Sequence, residues 1–208
     1  MIPASTPEAR AGLPPAGRPA SPPVFHVVLH EPEIPNNTGN IGRTCVATGC
    51  ALHLIRPLGF ETSEKACRRA GLDYWPRLMP TEHDDFDTYL RASGAMPERV
   101  WLLTTKTTRC VWDADLKPGD HLIFGKETRG LPDAITQRYP GRLLCLPMAA
   151  GERSLNLATA VCAVVYEGLR QCASRGEITL DNQGRLAPGK ANAPRHASSQ
   201  ASGCQQPT

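Results

Sequence analysis

No charge-free apolar run in the 208-residue chain approaches the roughly 20 residues that a membrane-spanning helix needs. The N-terminus also lacks the basic-then-apolar order of a secretory signal. A cytoplasmic location with no membrane partner is therefore expected. Eight cysteines are present, at Cys45, Cys50, Cys67, Cys110, Cys145, Cys162, Cys172 and Cys204, but they form no Cys-x-x-Cys pair and no Cys/His cluster of zinc spacing. They read as reduced thiols, several of them buried, and no metal is expected. No internal repeat is visible. The net charge is only +3, which permits a nucleic-acid partner without demonstrating one, because a local patch matters more than a total.

An apolar content of 40% is enough for one domain with a real core. Residues 1–23 are rich in proline, alanine and glycine without an apolar period, and residues 176–208 return to that composition; both are expected to be disordered. The folded domain is expected at 24–175. Within it, short apolar runs at 25–29, 52–55, 100–104, 122–124 and 143–146, with a weaker one at 74–79, predict strands. Helical patterns at about 39–48, 63–70, 84–92 and 132–138, and a long one after residue 154, lie between or after them. Gly49 and Gly71 are expected stops, and Pro132 is expected as a first helical residue. Alternating βα units imply an α/β fold with a mostly parallel sheet covered on both faces.

Three polar, glycine-bearing loops follow predicted strand ends, where open α/β sheets place their ligands. The first carries Asn37, Thr38, Gly39, Gly42 and Arg43. Asn37 and Thr38 are suited to capping a helix, the glycines permit close approach, and the arginine fork suits phosphate. Its Gly39-x-x-Gly42 spacing is not a dinucleotide fingerprint, and the second strand ends in Arg56 rather than a ribose-binding acid. That disfavours NAD and leaves only an NADP-dependent oxidoreductase as a reading of that class. The second loop, residues 124–131, carries Gly125, Glu127 and Arg129. The third runs from Leu146 through Met148 to Ser154, Leu155 and Asn156, and Ser154 or Asn156 can cap the last helix. Taken singly, each loop is also readable as turn and cap chemistry. Their coincidence at one sheet edge favours a shared crevice.

Asn37-Thr-Gly-Asn-Ile-Gly-Arg43, Phe124-Gly-Lys-Glu-Thr-Arg-Gly-Leu131 and Leu146-Pro-Met with Ser154-Leu-Asn-Leu157 resemble, in order and spacing, the three motifs of the SpoU branch of the SPOUT RNA methyltransferases. Glu31-Pro-Glu-Ile-Pro35, Arg68-Arg-Ala-Gly-Leu-Asp-Tyr74 and Leu103-Thr-Thr-Lys106 look like its small branch, which 2′-O-methylates the wobble nucleotide of tRNA, a cytidine or uridine at position 34. The resemblance implies a deep C-terminal trefoil knot and a homodimer sharing residues between active sites. It also implies S-adenosylmethionine held by Leu103, Thr104, Gly125, Leu146, Met148, Ser154 and Leu155, largely through backbone contacts. Arg43, Glu127 and Asn156 are implied as catalytic, with Arg43 at the ribose hydroxyl.

A guanidinium offers N–H donors and no acceptor, so Arg43 is expected to grip phosphate and stabilise the developing alkoxide rather than take the proton. Arg68, Arg69, Lys106, Arg129 and Arg153 are candidates for the tRNA backbone. The apolar face of Val161, Val164, Val165 and Leu169 fits either a dimer interface or the core. Two readings stand beside the wobble methyltransferase: a 2′-O-methyltransferase of another tRNA or rRNA position, and a non-catalytic RNA-binding module of the same fold.

Overall fold

The computed structural model describes residues 22–62 and 74–187. Six strands, β1 (Phe25–His30), β2 (Ala51–Ile55), β3 (Thr81–His83), β4 (Val100–Leu103), β5 (Asp120–Phe124) and β6 (Leu143–Leu144), form one sheet in the order β3-β2-β1-β5-β4-β6. All their pairings are parallel. Around them lie α1 (Pro35–Thr48), α2 (Trp75–Leu78), α3 (Phe86–Ser93), α4 (Asp133–Thr136) and α5 (Leu157–Ser174). Among the described residues no helix is long and apolar enough to cross a membrane.

Strand β1 buries side chains on both sides because both faces of the sheet are covered. Phe25, Val27 and Leu29 pack with Ile41 and Cys45 of α1 and with Val161, Val164, Val165 and Leu169 of α5. Val28 joins Ile55, Leu102 and Ile123 on the opposite face, under Phe86 and Tyr89 of α3 and Ile135 of α4. The apolar stripe of α5 is thus core.

Several boundaries differ from expectation. Helix α1 starts at Pro35, whose missing N–H suits a first turn. Its N-cap is Ile34, without a side-chain cap, so Asn37 and Thr38 lie inside the helix. The weak strand expected at 74–79 is instead α2; Pro76 in that run has no N–H to give a ladder. The edge position goes to β3. Pro132 is the N-cap of α4 rather than its first residue, and that helix has only four residues. Asp85 caps α3 by accepting the Thr88 N–H at 2.6 Å. Gly49 does end α1, in the left-handed region at φ 70°. The helix expected at 63–70, its stop Gly71, and Arg68 and Arg69 lie outside the described residues. Past Arg175, Leu180 and Leu186 pair in an antiparallel bridge, and Ile178 and Leu186 pack against the core.

A row of histidines crosses the α3 side of the sheet. His26 Nδ1 lies 3.0 Å from His53 Nε2, and His53 Nδ1 lies 3.2 Å from His83 Nε2. His121 stacks on His26 at 4.4 Å and shares a hydrogen bond with the buried Tyr89 hydroxyl. Burial is the main force lowering all four imidazoles, His53 to about 3 and His121 to about 4. The neighbouring imidazoles lower His53 further.

Candidate active site

Strands β1, β5, β4 and β6 are neighbours, so the loops leaving their carboxyl ends meet. β1 feeds chain toward β2 on one side while β4 and β6 lie on the other, a change of winding direction of the kind that opens a crevice. The cavity there has a volume of about 550 Å³ and is lined by Leu103, Thr104, Gly125, Glu127, Leu146, Met148, Ser154, Leu155 and Asn156. Nine of the ten residues singled out from sequence therefore face one space. Leu103, Leu146, Met148, Leu157 and Val164 give it an apolar wall.

The loops are joined by side chains. Asn156 caps α5, its Oδ1 accepting from Ala158 N at 2.9 Å and Thr159 N at 3.3 Å. Its Nδ2 donates to Asn37 Oδ1 at 2.9 Å. Asn37 Nδ2 in turn donates to Glu127 Oε1 at 2.9 Å. Glu127 also accepts from the backbone of Glu33 at 2.9 Å and Ile34 at 3.3 Å. One chain of contacts thus links the first, second and third loops through the buried Asn37. Asn37, expected from its composition to cap a helix, instead bridges the loops. A carboxamide, acceptor at one end and donor at the other, was the available signal.

The second loop is folded tightly. A Cβ built on Gly125 would lie 2.1 Å from the Gly130 carbonyl carbon, so only glycine fits. Gly130, at φ 68°, returns its N–H to Lys126 O at 2.9 Å. Lys126 Nζ reaches Glu31 Oε2 at 2.7 Å. The carboxylate of Glu33 accepts both the N–H and the hydroxyl of Thr128, at 3.1 and 3.0 Å.

Arg43 is not part of the cavity lining. It sits six residues beyond Asn37 on α1, about 9 Å along the axis, with its guanidinium 5.1 Å from the Tyr74 ring centroid. Tyr74 bonds the Gly39 carbonyl. Gly42 does admit a close neighbour, but the neighbours are the Leu78, Tyr74 and Trp75 side chains, which lie 2.8 to 3.4 Å from where its Cβ would be. Lys106, Arg129 and Arg153 do line the cavity, and Lys106 pairs with Asp133 at 2.7 Å.

The SpoU rRNA Methylase family model matches residues 24–166, which include all three loops. The chain belongs to that family. A tRNA (cytidine(34)-2′-O)-methyltransferase of Saccharophagus degradans is 46% identical over 154 residues, 74% of this chain and 99% of that protein. A solved structure described as giving structural insights into the 2-OH methylation of C/U34 on tRNA is 44% identical. It covers 73% of this chain and 97% of its own, with a TM-score of 0.66. The SpoU methyltransferase AviRb from Streptomyces viridochromogenes in complex with AdoMet is 25% identical, covering 75% of this chain and 60% of its own with a TM-score of 0.60. The fold class is that of this family, an α/β domain built on a parallel sheet.

Proposed function

We propose that the chain transfers a methyl group from S-adenosylmethionine to the 2′-hydroxyl of the tRNA wobble nucleotide, cytidine or uridine 34. The observation that carries this reading is the joining of the three loops around one cavity by Glu127, Asn37 and Asn156, in a chain 46% identical to an enzyme named for that reaction.

The cavity fits the cofactor. Its volume is in the range of small-molecule sites, its aliphatic wall suits an adenine, and Gly125 lets backbone come close where a side chain would block it. Leu103, Thr104, Gly125, Leu146, Met148, Ser154 and Leu155 would hold it. When bound, the sulfonium supplies an activated methyl group with a good leaving group, open to in-line displacement. The protein's task is the nucleophile, a weakly acidic hydroxyl that must be placed and relieved of its proton. Glu127 and Asn156 order the loops that shape the cavity. Arg43 grips the phosphate beside the ribose and stabilises the developing alkoxide, and the proton leaves to phosphate or water. Lys106, Arg129 and Arg153 meet the RNA backbone.

Two further properties belong to this reading. Strand β6 runs between both arms of the loop that leaves β4. Thr104 N–H donates to Leu144 O at 2.9 Å on one side, while Cys145 N–H donates to Arg109 O at 2.8 Å and Val111 N–H to Cys145 O at 2.9 Å on the other. This supports a knotted methyltransferase domain over 24–175, with the chain after β6 passing through that loop. Arg43 is exposed and does not line its own chain's cavity, and α5 leaves Ala163 and Tyr166 exposed opposite its core face. Both support a homodimer in which Arg43 serves the partner's site.

The test uses synthetic anticodon stem-loops and labelled S-adenosylmethionine. The reading expects label in a loop with an ordinary ribose at position 34 and none in one carrying 2′-deoxyribose there. Equal labelling of the two would assign the methyl group elsewhere.

A further inference from the structure

We propose that Glu33 is a positioning residue for methyl transfer, setting the orientation of the 125–130 loop against the start of α1. The inference rests on the methyltransferase reading above and adds a residue outside the ten taken from sequence. The two loops hold each other reciprocally. The backbone of Glu33 donates to the Glu127 carboxylate at 2.9 Å, and the Glu33 carboxylate takes both hydrogens that the next residue, Thr128, can offer, at 3.1 and 3.0 Å. With Lys126 paired to Glu31 at 2.7 Å, three consecutive residues are each fastened to the 31–37 segment.

The geometry explains why this matters. The 125–130 loop is closed on itself through the Lys126–Gly130 bridge, and the Gly125 contact allows no slack inside it. It therefore pivots as a unit on the end of β5, and what limits the pivot is its outside attachments. Glu127 holds the base of the loop from the cavity side, and Glu33 holds Thr128 on the exposed side. Releasing Thr128 frees the far part of the loop to swing, shifting Glu127 relative to Asn37 while Gly125, at the pivot beside the end of β5, keeps its place in the cavity wall. Glu33 does not line the cavity, so it acts through Thr128 and Glu127 and not on the substrate.

The decisive comparison is Glu33→Ala against Glu33→Gln. A glutamine can reproduce both contacts, its carbonyl accepting the Thr128 N–H and its amide donating to the Thr128 hydroxyl oxygen. It abolishes the charge. Glu33→Ala is expected to lower kcat about tenfold, as misplacement of a loop by a fraction of an ångström does. Binding of S-adenosylmethionine, by calorimetry, is expected within about twofold of the unaltered protein and the melting temperature within a few degrees, the attachment being solvent-exposed. Glu33→Gln should recover at least about a third of the rate, and Glu33→Ala placed on Thr128→Val should lose less than it does alone.

The proposal is overturned by full turnover in Glu33→Ala, by a Glu33→Gln variant as slow as Glu33→Ala, or by parallel collapse of rate, cofactor binding and melting temperature. Turnover of the unaltered protein on tRNA, measured alongside, reports on the methyltransferase reading separately, since the proposal concerns only the ratios to it.

Discussion

Replacing Asn37 by aspartate should harm the protein more than truncating it to alanine. The side chain donates to the Glu127 carboxylate and accepts from Asn156, each at 2.9 Å. In Asn37→Ala the charged-acceptor bond and a neutral one are lost. With partial solvent access at both ends this costs about 2 kcal/mol, a drop of about 4–8 °C in Tm for a domain of this size. Asn37→Asp keeps the acceptor toward Asn156 and the shape of the side chain. It also sets a second carboxylate against Glu127 Oε1, and the repulsion adds about 1–3 kcal/mol at neutral pH. Because the repelled pair takes up a proton more readily when folded than unfolded, its folded pKa is raised. The extra penalty is then full above that raised value and fades as pH falls toward the ordinary carboxylate range. Thermal melts of the three proteins at pH 7.5 and 5.0, compared as differences from the unaltered protein at each pH, read this directly. Aspartate no worse than alanine at pH 7.5, or a gap that widens at pH 5.0, would refute the assignment of Asn37 as the donor to Glu127.

The tight second loop predicts that Gly125→Ala abolishes cofactor binding and transfer, since the added carbon would overlap the Gly130 carbonyl; calorimetry showing normal binding would contradict this. Saturating S-adenosylmethionine at about 100 times its Kd should stabilise the protein by about 2.7 kcal/mol, raising Tm by some 5–10 °C, whereas NADPH should leave it unmoved. The histidine row predicts acid sensitivity. His53 and His121 have pKa values lowered to about 3 and about 4 by burial, so below pH ~6.5 the unfolded chain binds more protons than the folded one. Stability should be full above pH ~6.5 and fall as pH drops toward those values, and denaturant titrations of His53→Gln should show a shallower decline. An unchanged decline would remove His53 from the cause.

The sheet was legible because most of its strands are short, largely apolar runs spaced by helical stretches. The 25–29 run announces β1, and the stripe Val161, Val164, Val165 and Leu169 announces α5. The cavity was legible because three separated loops share one chemistry. Other features depend on tertiary partners that periodicity does not register. Asn37 has the composition of a cap, and only the approach of Glu127 and Asn156 from 90 and 119 residues away turns it into a bridge. The start of α1 moved to Pro35 because Asn37 was occupied elsewhere and proline fixes the first turn without a cap. The edge strand β3 has three residues, too few to show alternation, while the more apolar 74–79 run beside it could not form a ladder through Pro76. The separation of Arg43 from the cavity is likewise invisible in a motif, where it stands six residues from Asn37.

The most direct test of the account locates the methyl group. Purified protein is incubated with isotopically labelled S-adenosylmethionine and tRNA lacking wobble methylation, followed by nuclease digestion and mass spectrometry of the anticodon-loop fragments. The account predicts one labelled methyl group on the 2′-oxygen of nucleotide 34, lost with Arg43→Ala. Label on a base, or on a ribose elsewhere in the tRNA, would contradict it.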